Sequence, residues 1–412
     1  MERRDFLKSG AALTALAAAS VFDAKGVQAA DDTQATVKRY QEIGKTGLKM
    51  SDISFGGGHI PAASMVLRAI DRGINYFDTA PDYGRSEEFI GEAMKNIKRD
   101  KIIIASKFCN QLPYPAHLPA GSSKEMYVKS VEDSLKRMKT DYLDFCFVHA
   151  IGEMNKEKDA EMKRLFDENM FSAVDSLKKS GKIKFLAVSS HGPSNMESLL
   201  MEAVKSGKFD MIMTSFNFMK FPQLPDVIKE AKKHSVGVIA MKTLAGAKDM
   251  NLEFKGADFA QSALKWTLKH PEVNGLIVTI KSISDLDNYL PASGKDFTAR
   301  DEHILQKYAA LYGSSYCRTG CDSCQSACQY GVEIASALRY TMYFHDYGME
   351  KRAMTSYASL KNKADICSTC TTKSCTSACP YGLPVGEMLL EAHRSLTFEG
   401  SATPDGSDPV IV

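Results

Sequence analysis

Eight short apolar runs recur along the chain, at residues 53–57, 74–79, 101–106, 142–148, 183–190, 211–216, 236–241 and 275–280. Most are followed by a stretch whose apolar positions repeat at helical spacing. Nearly continuous apolar runs suit parallel strands covered on both faces, and their alternation with helices predicts an α/β fold, a closed (β/α)8 TIM barrel rather than a doubly wound sheet. No glycine-rich dinucleotide fingerprint follows any of the runs, which also counts against a Rossmann domain.

Three runs end on side chains that can do chemistry. The second stops at Asp78, and a turn built from Pro81 and Gly84 then presents Tyr83 ahead of a helix opened by Ser86 with Glu87 and Glu88 in its first turn. The third is followed by Lys107 and the fourth by His149. In a barrel, all four lie on the rim where strands open into loops, which is the catalytic face. Singly each has a plain structural reading: a turn cap, a packed rim tyrosine, a solvated lysine, a core histidine. Together they suit proton transfer. A cation beside a phenol is expected to lower the phenol's pKa, and a carboxylate beside the cation keeps it charged and fixed.

The run Asp78-Thr79-Ala80-x-x-Tyr83-Gly84-x-Ser86-Glu87-x-x-Ile90-Gly91, with Lys107 and His149, resembles the aldo/keto reductase family. So does the opening hairpin over residues 43–51, and the likeness extends from about residue 39 to about residue 292. The resemblance implies a carbonyl or alcohol substrate, with Tyr83 as acid in reduction and base in oxidation. It makes Lys107 the tuner of Tyr83, Asp78 the anchor of Lys107, and His149 the group that orients the carbonyl oxygen. It further implies that Ser189 and Ser190 hold the nicotinamide amide, although the family usually has Ser-Asn there. Met241 stands where an aromatic residue usually stacks on the nicotinamide, and Met213 where a Gln is usual. Lys281 and Ser282 resemble a phosphate-binding pair and favour NADP(H) over NAD(H), but the helix that follows lacks the family's usual arginine.

Composition adds a second domain. The 412 residues carry a formal charge of only +2 and are 44 % hydrophobic, enough for one large core plus a smaller unit and no signal for nucleic acid or an anionic membrane surface. Eight of the ten cysteines fall between Cys317 and Cys379 at short gaps, a pattern that points to metal rather than to a disulfide framework. Cys109 and Cys146 stand apart and read as core thiols; Cys146 is out of phase with His149 and is expected to face a helix. The runs Cys317-x3-Cys321-x2-Cys324-x3-Cys328 and Cys367-x2-Cys370-x4-Cys375-x3-Cys379-Pro380 resemble two-cluster ferredoxins. That resemblance implies two [4Fe-4S] clusters with crossed ligands: Cys317, Cys321, Cys324 and Cys379 for one, Cys367, Cys370, Cys375 and Cys328 for the other. Two gaps are longer than usual and Gln329 replaces a proline, so zinc held by four thiolates stays open. Helices are expected between the two runs, wrapping the clusters in apolar surface.

At the N-terminus, Arg3 and Arg4 precede Phe6-Leu7-Lys8, a short apolar stretch and the small residues Ala29-Ala30. This is the layout of a cleaved export signal, and it resembles the twin-arginine type. The expected organisation is therefore a signal at 1–30, a barrel at 38–296, a mostly helical ferredoxin-like iron-sulfur domain at 313–395 and a disordered tail at 399–412. The signal implies the twin-arginine machinery as a partner, a periplasmic location and no permanent membrane span. A redox protein partner is a further expectation. Two functional readings follow: an exported carbonyl/alcohol oxidoreductase, or an electron-transfer or binding subunit on a barrel that no longer turns over nicotinamide.

Overall fold

The structure is a computed structural model that describes residues 34–397 apart from 193, 220–223, 247, 249 and 255. The expected signal at 1–30 and tail at 399–412 lie outside the described residues.

A hairpin comes first, Tyr40–Glu42 paired antiparallel with Lys49–Ser51. Ile43 and Met50 from it join the barrel's interior cluster, so the hairpin closes the end opposite the C-terminal rim of the strands. Eight strands then form a closed barrel: β1 Ile53–Gly56, β2 Tyr76–Asp78, β3 Ile103–Lys107, β4 Leu143–Val148, β5 Ile183–Ser190, β6 Met211–Ser215, β7 Gly237–Met241 and β8 Gly275–Val278. All eight neighbour pairings are parallel, including the closing pair β8–β1. A helix follows each strand: α1 Ala63–Asp71, α2 Ser86–Ala93, α3 Lys124–Met138, α4 Glu168–Lys179, α5 Met196–Lys205, α6 Leu224–Lys233, α7 Phe259–Leu268 and α8 Ile283–Tyr289. Among the described residues, no helix is long and apolar enough to cross a membrane.

Two-residue alternation sorts the strands into layers. Tyr76, Ile103, Ala105, Phe145, Phe147, Ala187, Met211, Met213 and Ile239 fill the barrel. Phe77, Ile104, Cys146, Leu186, Ile212 and Val238 pack outward against the helices. Cys146 therefore faces a helix, as its phase predicts. Carrying the inward phase one step beyond the filled layer brings Asp78, Lys107, His149, Ser189 and Met241 to the rim. Gly57, just after β1, is held against the end of β2 so closely that a Cβ there would sit 1.8 Å from the Asp78 carbonyl oxygen. Only glycine lets the backbone pass that near.

Beyond the barrel, α9 Ala299–Tyr312 packs on α7, and Thr298 with Asp301 closes a capping box at its start. The cysteine-bearing segment follows. Its helices α10 Ile334–His345, α11 Glu350–Ala358 and α12 Val385–Leu396 share a core of Ile334, Leu338, Met342, Ala353, Tyr357 and Leu389, with Cys324, Cys367 and Cys375 in the same cluster. The segment rests on the barrel rim: buried Arg339 on α10 donates to Nδ1 and to the backbone oxygen of His191, both at 2.9 Å. Gly192 meets Gly320 across the same seam, where a Cβ would approach to 2.5 Å.

Candidate active site

A cleft of about 350 Å³ opens at the C-terminal ends of the strands, and Asp78, Tyr83, Lys107 and His149 all line it. Lys107 Nζ donates to Asp78 Oδ1 at 2.5 Å and to the Thr79 carbonyl at 2.7 Å, with both side chains nearly inaccessible. The ammonium also lies 4.8 Å from the centre of the Tyr83 ring. Tyr83 Oη and His149 Nε2 are hydrogen-bonded at 3.2 Å. Four residues from three strand ends thus form one connected group.

Electrostatically, the site departs from expectation. Burial, followed by the charges of Asp78 and Asp82, holds the Tyr83 phenol well above its ordinary pKa, so the predicted lowering by Lys107 is not found. The reason lies in the geometry. Lys107 is paired with Asp78, and a closed ion pair offers a phenolate little net charge. Burial dominates what remains. The phenol is thereby kept protonated, which suits an acid. His149 is pushed well below its ordinary value, first by burial and then by His117 and Lys107, so its ring stays neutral.

Of the expected nucleotide contacts, Ser189, Met241 and Lys281 line the cleft, as does Met213. Ser190 and Ser282 do not. Ser190 is out of phase with the inward residues Ala187 and Ser189, and its hydroxyl donates to the Ile151 carbonyl at 2.6 Å. The Ser282 hydroxyl caps α8 by accepting from Asp285 N at 3.2 Å. Asp285 Oδ2 in turn accepts from the amides of Lys281 and Ser282, at 2.7 and 3.0 Å. The Asp285 carboxylate therefore already holds the backbone amides of Lys281 and Ser282, the pair expected to bind a phosphate.

Other residues at the rim carry no sequence signal. Cys109, read as an isolated core thiol, lies 3.0 Å from His149 Nδ1. The loops after β3 and β4, which spell no interpretable charge pattern, bring Tyr114, His117 and Glu153 together: Tyr114 Oη donates a short bond to Glu153, and His117 Nε2 is 3.2 Å from the same carboxylate. The cysteine-bearing segment supplies the roof. Tyr343, Tyr347, Met349 and Arg352 line the cleft, and the Arg352 guanidinium stands 4.4 Å above the Tyr114 ring.

Two groups of cysteines form within that segment. Cys317 lies among Cys321, Cys324 and Cys379, while Cys328, Cys367, Cys370 and Cys375 line one small cavity. Burial and neighbouring thiols push Cys317 and Cys324 up to about 12 and Cys367 up to about 11.

The sequence profile of the aldo/keto reductase family matches residues 59–249, ending before the first of these cysteines, and a twin-arginine translocation signal profile matches residues 1–20. L-galactose dehydrogenase of Arabidopsis thaliana is 25 % identical over 308 residues, covering 65 % of this chain and 92 % of that protein. The aldo-keto reductase YhdN of Bacillus subtilis is 30 % identical over 245 residues, 53 % of this chain and 67 % of that protein. A solved putative aldo-keto reductase from Pseudomonas aeruginosa superposes with a TM-score of 0.51 at 26 % identity, covering 63 % of this chain and 96 % of that one. With an eight-stranded parallel barrel, a matching profile and relatives named as reductases and dehydrogenases, this chain belongs to the aldo/keto reductase family of oxidoreductases and carries a twin-arginine export signal.

Proposed function

We propose that the chain is a periplasmic enzyme that interconverts a carbonyl and an alcohol in the roofed cleft, with Tyr83 as the proton donor in reduction. The observation that carries this reading is the linked group itself: Tyr83 Oη on His149 Nε2 at 3.2 Å, and the Lys107–Asp78 pair at 2.5 Å beneath the Tyr83 ring, all lining one cleft. Bound there, a nicotinamide nucleotide, NADP(H) being the form typical of the family, supplies the hydride or accepts it. Tyr83 gives its proton to the carbonyl oxygen, so that C=O becomes CH–OH, and takes that proton back in the reverse direction. His149 fixes the phenol's orientation and polarises the carbonyl oxygen. Lys107 and Asp78 lock each other and set the field under the ring. The roof formed by Tyr343, Tyr347 and Arg352 restricts water at the reacting centre. Ser189, Met241 and Lys281 are the residues proposed to touch the nucleotide.

The two cysteine groups are proposed to hold [4Fe-4S] clusters with the crossed ligand sets given above. Tetrahedral zinc would draw four thiolates to about 3.8 Å from one another, given Zn–S of about 2.3 Å. Among the described residues, the one group of three or more His, Cys, Asp or Glu donors lying within 4.8 Å of one another is in the barrel, so neither cysteine group is that tight. A four-iron cube keeps its thiolates further apart, and it supplies single-electron transfer or a structural clamp. A redox partner protein belongs to the same proposal.

The competing reading, a binding or electron-transfer subunit, is favoured by Met213 and Met241, which offer no amide and no aromatic face to a nicotinamide. Fluorescence titration of anaerobically purified holoprotein with NADPH and NADH separates the two. Saturable binding with aldehyde reduction lost in Tyr83→Phe supports the enzyme; no binding of either nucleotide supports the subunit. Iron, sulfide and zinc analysis of the same sample tests the clusters: about eight irons per chain are expected, and zinc in place of iron would remove them from the account.

A further inference from the structure

We propose that Asp82, Cys109, His117 and His149 bind one zinc ion, buried directly behind Tyr83. These four residues come from the loops after β2, β3 and β4, and their ligand atoms all lie within 4.8 Å of one another. The loop after β3 folds back on itself through a backbone bridge between Cys109 and His117, which sets those two side chains next to each other. The amide of Ala116, beside His117, donates to Asp82 Oδ2 at 3.2 Å and draws the third donor in. His149 then arrives from the end of β4.

The separations approach those of a tetrahedral ligand set. Cys109 Sγ is 3.0 Å from His149 Nδ1 and 3.7 Å from His117 Nδ1. Asp82 Oδ2 is 3.8 Å from His117 Nδ1, and Asp82 Oδ1 is 3.8 Å from His149 Nδ1. Donors at about 2.0–2.3 Å from a tetrahedral zinc stand about 3.3–3.6 Å apart, so each of these four separations needs to change by about half an ångström or less. A second observation points the same way. Asp82 Oδ1 is fully buried yet has no hydrogen-bond partner, and the side chains of Asp82, His117 and His149 are at most 2 % exposed. A carboxylate oxygen abandoned in a dry pocket is costly, and a cation at the focus of the four donors removes that cost.

Outer contacts complete the pattern. A metal-binding histidine holds its second nitrogen with a carboxylate or another polar group, which fixes ring and tautomer. His117 Nε2 has Glu153 Oε2 at 3.2 Å, and His149 Nε2 has Tyr83 Oη at 3.2 Å. The donors are one sulfur, two imidazoles and one carboxylate, a mixed set suited to zinc, and thiolate plus carboxylate cancel its charge. Binding releases the Cys109 thiol proton and leaves His149 as the Nε2–H tautomer, aimed at Tyr83 Oη. With four protein ligands no coordination position is left for water, so the ion holds the catalytic histidine in place instead of activating a nucleophile. The site stands on its own geometry, whether or not the barrel turns over a nicotinamide.

The test is zinc-edge X-ray absorption together with metal analysis on the full-length, anaerobically purified protein. Wild type is expected to carry about one zinc per chain with one sulfur near 2.3 Å and three nitrogen or oxygen neighbours near 2.0–2.2 Å. Cys109→Ser should remove the sulfur shell, and His117→Gln should lower zinc content about tenfold or more with iron unchanged. Wild-type protein with no zinc, or with zinc in an all-sulfur shell, overturns the proposal, and that measurement does not depend on how either variant folds.

Discussion

The barrel rim and the cysteine-bearing segment are both rich in titratable side chains, but they are organised in opposite ways. At the rim, the charges answer one another: Lys107 is held by Asp78 and a backbone carbonyl, and Tyr83 by His149. These contacts are made by the protein's own groups, so the field they set exists before any substrate arrives. In the segment, burial and mutual crowding push Cys317, Cys324 and Cys367 up, and the opposing pulls, Arg339 on Cys317 and a backbone hydrogen bond on Cys324, are outweighed. On the proposed reading, those thiols await the clusters that would offset their crowding. If the cysteine groups hold the proposed clusters, the segment depends on folding plus loading, whereas the Lys107–Asp78 and Tyr83–His149 contacts are made by the protein's own side chains.

Perturbing the two regions should give different signatures. The largest effect is expected from Tyr83→Phe, which keeps the ring and removes the proton: kcat for aldehyde reduction should fall about a thousandfold, with nucleotide affinity measured by titration unchanged. Comparable loss of nucleotide binding would show instead that the residue is needed for structure.

Arg339→Met acts on the seam. Its guanidinium is buried against His191 and stands 3.7 Å from Glu153, so removal takes a buried cation from a buried carboxylate and both hydrogen bonds from His191, and should cost about 3 kcal/mol in chemical denaturation. The segment core and the barrel should then melt separately. Cys321→Ser tests whether this group holds a cluster and should remove about half the iron, leaving nucleotide affinity intact. If iron is unchanged, that cysteine is not a ligand.

The smallest effect concerns Asp301, which ties α9 to α7 through Ser262 at 2.7 Å and Lys265, and caps α9 through Thr298. Burial works to raise its pKa and is outweighed by Lys265, Thr298 and Ser262, so the folded value is lowered. A lowered carboxylate stabilises above its unfolded pKa, and that contribution fades as pH falls through the folded one. Asp301→Asn should cost about 1 kcal/mol at neutral pH, and the gap to wild type in thermal melts should narrow below about pH 4.

Much of the rim was legible in the chain because strand alternation carries its own phase. Asp78, Lys107 and His149 continue the inward rows of their strands, and the same rule places Ser189 in the cleft and turns Ser190 away. The raised pKa of Tyr83 was not legible: residue types say that a lysine is near, not that its charge is already spent on Asp78. Nor was the meeting of Cys109 with His117 and His149. It depends on the path of a loop whose ends bridge across seven intervening residues, and no periodicity records that. Arg352 reaches the cleft, and Arg339 the barrel rim at His191, from a segment that the family profile does not cover. Within the segment, the grouping of Cys379 with Cys317 and of Cys328 with Cys367 joins residues far apart in the chain, so short gaps alone do not carry it.

Transfer of deuterium tests the central claim most directly. Anaerobic holoprotein is mixed with NADPH bearing deuterium at the transferring position and a panel of aliphatic and aromatic aldehydes, and the alcohols are read by mass spectrometry. The account predicts one deuterium on the carbinol carbon with wild type and none detectable with Tyr83→Phe under the same conditions. Equal incorporation by Tyr83→Phe, or none by wild-type protein that binds the nucleotide, would contradict it.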